Sequence, residues 1–383
     1  MQQHIQLEIS EHLHHKDYAL AVRRLLDLSY DTGDLSLMKE ATVFSKAWHN
    51  NQYKTDATEP TDAFFSSAET LLDKASALLK NTNTIATSLL QATNISKQYN
   101  KGVFKLNPIS VKITSGDILG VVGENGNGKT TLLRCLAGQL LPDSGSINYS
   151  LLQSPDDYAV KSYVAFIPQR IPRWYGMLKD NLHFSASIAG MHGHTNEVMV
   201  EFMLERLNLS SYASLNWNQI SSGYRTRFEL ARILLQKPQL LILDEPLANL
   251  DIKAQQTILT DLKYMTAWTN HPMGIVLSSQ QLHEVEKVAD TVLMIKNGTC
   301  INHHTTEADY TPERTIIEIE TTSSREEIAN ALSTIEADIH FNGGFYTISA
   351  AAVDAQQLIG LLITNKLPVS YFRDITHSTK RFF

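Results

Sequence analysis

Gly123-Glu-Asn-Gly-Asn-Gly-Lys-Thr130 decides how this chain is read. The string fits G-x-x-x-x-G-K-[ST], follows the apolar run Ile118–Val122 and precedes a helix-forming stretch, Thr130–Ala137. That setting predicts a phosphate-binding loop between a strand and a helix. Glycine lets the backbone curl around phosphates with no Cβ in the way, so that N–H groups point inward. The helix N-terminus adds partial positive charge. Lys129 is then expected on the β- and γ-phosphates of a nucleoside triphosphate, and the Thr130 hydroxyl on Mg²⁺. Gly123, Asn125, Gly126, Asn127, Gly128, Lys129, Thr130 and Thr131 are the candidate nucleotide contacts.

A second run, Gln239-Leu-Leu-Ile-Leu-Asp-Glu245, is fully apolar until it ends in two acids. A central parallel strand reads this way, with its C-terminal tip at the ligand. Asp244 is suited to the Mg²⁺ shell and Glu245 to general-base activation of water. Taken alone, the run is also a buried strand with two solvated acids at its exit.

Moving outward, short β-rich runs at Ile118–Val122, Ser162–Ile167, Leu240–Leu243 and Gly274–Ser278 alternate with helical stretches. This predicts an α/β fold with a largely parallel sheet. The mostly helical segment Lys179–Gln219 reads as a subdomain inserted into it. Residues 1–90 form an all-helical N-terminal module on the spacing of Tyr18–Ser29, Leu35–His49 and Thr61–Leu79. Residues 91–305 make the nucleotide-binding domain. Residues 310–383 read β-α-β-β-α-β, a small ferredoxin-like α+β domain: strand Arg314–Thr321, capped helix Ser324–Leu332, strand Ala337–Phe341, a turn at 342–344, strand Phe345–Ser349, helix Asp354–Asn365 and strand Pro368–Ile375.

Composition narrows the classes. The 383 residues are 43% hydrophobic and 19% charged with net charge -7, an ordinary mixture for a folded core and a poor one for neutralising nucleic-acid phosphates. Cys135 and Cys300 are too few and too far apart for a disulfide framework or zinc spacing. No apolar run nears the ~20 residues of a membrane span, and the N-terminus lacks a signal-peptide pattern. His12, His14 and His15 cannot share one helical face, so they read as solvated, as do His303 and His304.

Between the two nucleotide motifs lies Ile220-Ser-Ser-Gly-Tyr-Arg-Thr-Arg227, followed by a helix at Phe228–Gln236. Here the chain resembles the ABC ATPase family, over about Ala92 to Asn302, with several motifs in the family's order. The resemblance implies a P-loop ABC ATPase domain with an inserted helical subdomain. It places Tyr99 of Ile95-Ser-Lys-Gln-Tyr99 against adenine and Gln169 of Phe166-Ile-Pro-Gln169 beside Mg²⁺ and the attacking water. Ala248–Asp251 is similar to the D-loop and Ser278–Gln280 to the switch region. Ser221 and Gly223 would close on the γ-phosphate held by a second copy, so the implied cofactors are ATP and Mg²⁺ and the implied state is an ATP-sandwich homodimer. Three positions depart from the pattern: Ser222 and Tyr224 replace glycine and glutamine, and Gln280 stands where the family has a switch histidine. Glutamine can donate to a γ-phosphate but cannot become cationic, so slower hydrolysis is expected.

The stretch Leu178–Gly190 resembles the segment after the Q-loop glutamine in exporter-type members, where it faces a membrane subunit. Arg173-Trp174-Tyr175 either anchors that contact or packs inside the helical subdomain. The resemblance implies the ATPase subunit of a membrane exporter: cytoplasmic, peripheral on the inner membrane face, with a separate multi-span permease and no nucleic-acid partner. The alternative is a soluble non-transport ABC protein acting as an ATP-gated regulator or assembly factor.

Overall fold

The computed structural model describes residues 2–52, 54–55, 59–79, 86–99, 104–152, 157–248, 250–268, 270, 272–305, 314–342, 344–351 and 353–376. Asn249 of the D-loop, the middle of the 342–344 turn, the 306–313 junction and the 377–383 tail lie outside the described residues.

The centre is a six-stranded sheet in the order Thr299–Thr305, Thr291–Lys296, Ile118–Val122, Gly274–Ser279, Leu240–Leu243, Val164–Ile167. All neighbours are parallel except the first pair, an antiparallel hairpin. Ile118–Val122 and Leu240–Leu243 are buried at every position, as strands covered on both faces must be. A three-stranded antiparallel sheet (Lys105–Thr114, Ser88–Gln98, Ser144–Tyr149) shares one core with it, built from residues such as Ile95, Val121, Leu132, Ile242 and Leu293.

Several features differ from expectation: the N-terminal region is not all-helical, because Lys54–Thr55 pairs with Glu59–Pro60 and the strand Ser88–Gln98 begins before residue 91. Ser162 and Tyr163 end a helix, Asp157–Tyr163, and the strand starts at Val164. The helix expected at Phe228 begins at Ser222, with Ser221 extended as its N-cap, so the Ser-Ser-Gly-Tyr run is itself helical from its second residue. The inserted segment consists of helices Leu178–Ile188 and Gly193–Arg206 and two short 3₁₀ turns.

At the N-terminus, helices Gln2–His14, Tyr18–Thr32, Leu35–His49 and Asp62–Leu79 precede the sheet. The first is mostly polar, so apolar spacing does not reveal it. Their core is continuous with that of the inserted segment: Leu25, Phe44 and Phe64 belong to one cluster with Phe202, Phe228 and Trp268. Tyr30 marks the junction. Its ring stacks near Phe202 (6.0 Å) and Trp268 (4.7 Å), and its hydroxyl donates to Leu234 O at 3.1 Å. Burial pushes that phenol up to about 12, so it stays a neutral donor. Buried charges surround it. Arg206 Nε donates to Asp27 Oδ1 at 2.7 Å, Arg24 Nη1 donates to Asp27 Oδ2 at 3.3 Å, and Arg23 pairs with Asp261.

The last segment runs strand Arg314–Thr321, helix Arg325–Ala331, strands Ala337–Asn342 and Phe345–Ala351, helix Ala355–Thr364 and strand Val369–Asp374. Both helices start with capping boxes, Ser324 with Glu327 and Asp354 with Gln357. In sheet order the strands are second, third, first, fourth, all antiparallel. Arg373 reaches back to Glu286, with Nη2 3.7 Å from its carboxylate.

Candidate functional site

Four adjacent parallel strands deliver the site at their carboxyl ends, where open α/β sheets bind ligands. Ile118–Val122 leads into the glycine loop and Gly274–Ser279 into Gln280. Leu240–Leu243 leads into Asp244 and Glu245, and Val164–Ile167 into Gln169.

The loop needs its glycines for space. A Cβ on Gly128, at φ +105°, would lie 2.5 Å from the Phe104 ring. One on Gly123 would meet Ile295 O at 2.3 Å. Helix Lys129–Leu136 starts directly behind Gly128. Lys129 is buried, and its ammonium folds back to donate to Gly123 O (2.7 Å) and Glu124 O (3.2 Å). It also lies 3.0 Å from Glu245 Oε1.

Glu245 is the hub. Its other oxygen, Oε2, accepts from Gln169 Nε2 at 2.6 Å and from Gln280 Nε2 at 3.0 Å. Glu245 has φ +47°, a left-handed conformation that costs energy in a residue with a side chain and clusters at functional sites. Ser278 holds it there: its hydroxyl accepts from the Glu245 backbone N–H and donates to Asp244 Oδ1, both at 2.9 Å. Sequence reasoning places Ser278 in the switch run without giving it this part. The signal that could find it is a small hydroxyl ending an apolar strand two residues before Gln280.

Thr130 Oγ1 donates to Asp244 Oδ2 at 2.8 Å. A hydroxyl and a carboxylate in contact beside the loop are hard oxygen donors of the type Mg²⁺ takes. Gln169, expected beside the metal, has its amide nitrogen on Glu245. Tyr99 is partly exposed, with its hydroxyl 3.4 Å from Thr131 Oγ1 on the loop's helix, which leaves a ring face at the edge of the loop. Asn125 and Gly126 are exposed on the loop's outer side. The buried side chain of Asn127 turns the other way. It accepts from the Asn297 backbone N–H at 3.0 Å, pinning the loop to the neighbouring hairpin turn.

Ser221 and Gly223 are not brought to this loop. Ser221 is exposed at the N-cap of helix Ser222–Leu234, with Gly223 in the first turn. A Cβ on Gly223 would touch Ala254 at an ordinary 3.4 Å, so the helix does not require glycine there for its own packing. Tyr224 packs on Tyr212 with ring centroids 3.9 Å apart, and the Arg227 guanidinium sits 5.5 Å from the Tyr224 centroid.

The Arg173–Tyr175 alternatives divide by residue. Trp174 is buried and stacks on Trp217 at 5.1 Å, whereas Tyr175 is 78% exposed. Met177, Phe184 and Ile188 are exposed nearby in sequence, on and before helix Leu178–Ile188.

Residues 106–248 match the family model described as "ABC transporter". The chain is 34% identical over 214 residues to the SkfA peptide export ATP-binding protein SkfE of Bacillus subtilis, covering 55% of this chain and 86% of that protein. It is 30% identical over 227 residues to the phosphonates import ATP-binding protein PhnC of Treponema denticola, covering 56% and 88%. Among solved structures, an ATP-binding cassette captured as a dimer in a post-hydrolysis state with ADP and Pi shares the fold. That match has TM-score 0.52 and 19% identity, over 57% of this chain and all of the other.

Proposed function

The chain belongs to the ABC transporter ATP-binding family, and from that premise we propose that it is the ATP-hydrolysing subunit of a membrane exporter, working as an ATP-sandwich dimer. The convergence of Lys129, Gln169 and Gln280 on Glu245, beside Thr130 and Asp244, carries this reading.

The loop N–H groups and Lys129 bind the β- and γ-phosphates, while Tyr99 offers its ring to adenine. Thr130 and Asp244, with Gln169, would hold Mg²⁺, which when bound neutralises charge on the phosphates. Glu245 takes the proton of a water aimed in line at the γ-phosphorus, and the bond to the ADP oxygen breaks. Gln169 and Gln280 orient the Glu245 carboxylate by sharing one oxygen. Ser221 and Gly223 of a second copy complete the site from the opposite side, which fits their exposure away from their own loop. Gln280, unable to carry charge, makes turnover slower than a switch histidine would.

Residues 91–305 act as the nucleotide-binding domain and 310–383 as a ferredoxin-like appendage, supported by its strand order. Residues 1–90 act as a helical interaction module braced on the inserted helices. The exposed Tyr175, Met177, Phe184 and Ile188 favour contact with a membrane permease at the inner face. Among the described residues no helix is long and apolar enough to cross a membrane. Relatives include both import and export proteins; the segment Leu178–Gly190 favours export. Steady-state ATP turnover tests the enzyme, and cargo flux in vesicles holding the co-purified permease tests direction. Recovery from solubilised native membranes without any membrane protein would overturn the transport reading.

A further inference from the structure

A cavity of about 340 Å³ lies where the N-terminal helices meet the nucleotide-binding domain. Four cationic side chains line it, against one carboxylate, Glu205. Each cation comes from a different element: Arg23 from helix Tyr18–Thr32, Arg206 from the end of helix Gly193–Arg206, Arg227 from helix Ser222–Leu234, and Lys253 from helix Ile252–Thr266.

Arg23 is paired with Asp261 and Arg206 with Asp27, whereas Arg227 and Lys253 have no carboxylate within ion-pair distance among the described residues. Arg206 is buried; its Nε donates to Asp27 and its Nη2 lies 2.6 Å from the same carboxylate oxygen, but neither Nη1 nor Nη2 makes a hydrogen bond among the described residues. An unmade bond at a buried guanidinium is costly, which marks a place where an acceptor belongs. Burial lowers the Arg23 pKa to about 10, with Asp27 opposing that and Arg206 and Arg227 reinforcing it. Burial likewise lowers Arg227. The lining carboxylate, Glu205, spends its hydrogen bonds on other partners than these cations. Its Oε1 accepts from Ser45 at 2.9 Å and lies 2.7 Å from His49 Nδ1, and its Oε2 accepts from Ser210 at 2.8 Å.

We propose that this cavity is an anion site for a compact phosphorylated metabolite, gripped by Arg206 and Arg227 with Lys253 at the rim, beside the Asp261-paired Arg23. Guanidinium forks match phosphate oxygens bidentately, and the volume falls at the small end of ligand pockets. Bound there, the anion ties the N-terminal helices to the helix opened by Ser221 and to the helix that follows the D-loop. On the dimer reading proposed above, the site makes the N-terminal helices a sensor that adjusts closure.

The test is calorimetric titration of inorganic pyrophosphate into the full chain carrying Lys129→Ala, which disables the phosphate loop as a competing site. One binding event is expected. Adding Thr257→Glu, which puts a carboxylate into the lining, or Lys253→Gln at an exposed position, should weaken it about tenfold with melting temperature unchanged. If the glutamate variant unfolds, Lys253→Gln decides alone. No binding to the Lys129→Ala chain, or the same binding after the second substitution, overturns the proposal.

Discussion

Two buried carboxylates, Glu245 and Asp27, each gather cations or amides, and they do so to different ends. Around Glu245 the partners are Lys129, Gln169 and Gln280, each delivered by the segment that follows a different strand and each suited to contact a nucleotide or water as well. The backbone there is left-handed, at φ +47°. Around Asp27 the partners are Arg24, on its own helix, and Arg206, at the end of another, both largely withdrawn from solvent. The first network can exchange its bonds for a ligand's. The second locks the N-terminal helices to the ATPase core. Similar pairing chemistry gives a candidate site beyond the strand ends, and a weld where helices pack side by side.

Glu245→Gln breaks the first network at its chemical centre. Turnover should fall about 10³-fold, within the range that general-base catalysis supplies, while ATP binding persists. Steady-state hydrolysis with a parallel nucleotide titration measures both, and unchanged turnover would remove Glu245 as the base. Asp27→Ala breaks the second network and strands buried guanidinium groups, a loss of about 3–5 kcal/mol of stability. Denaturant unfolding reports it, and ATP affinity should hold wherever the chain stays folded. A change in affinity with stability intact would reverse the assignment of the two networks.

Gln280 sharpens the comparison, since it shares Glu245 Oε2 with Gln169. Gln280→Ala should cost about 100-fold in turnover, the scale of losing one donor at the reacting charge, whereas Gln280→His should keep or raise the rate. Equal rates in the two variants would leave Gln280 without a part in the chemistry.

The mildest perturbation is acid, at the helical junction. Burial alone would raise the Glu205 pKa, but His49, Ser210 and Ser45 hold it below the ordinary value. A folded pKa below the unfolded one contributes stability above the unfolded value and loses it as pH falls through the folded one. Melting temperature should therefore drop more steeply through the carboxylate range in the native chain than in Glu205→Gln, and parallel curves would show that Glu205 adds nothing to docking.

Much of the site is legible in the sequence because its residues serve local chemistry. Gly123–Thr130 is contiguous, since a loop around phosphates must be built from consecutive N–H groups, and Leu240–Glu245 announces a buried strand ending at a ligand. The start of the Ser-Ser-Gly-Tyr helix is harder to read, because a serine N-cap shifts a helix boundary without altering apolar spacing. The β-α-β-β-α-β order is readable from alternation and caps. The direction of the Asn127 side chain is not, because a loop motif does not tell which side chains turn toward the neighbouring hairpin.

By itself the sequence determined that a nucleotide loop, an acidic strand and a signature helix occur in one chain, because each is a run of neighbouring residues. The tertiary structure decided that strands far apart in sequence lie side by side, so that Lys129, Gln169 and Gln280 all meet Glu245. It also decided that the N-terminal helices share the ATPase core through Asp27, Tyr30 and Arg206. Pairing between residues 179 positions apart leaves no local trace, since it depends on which helix faces pack.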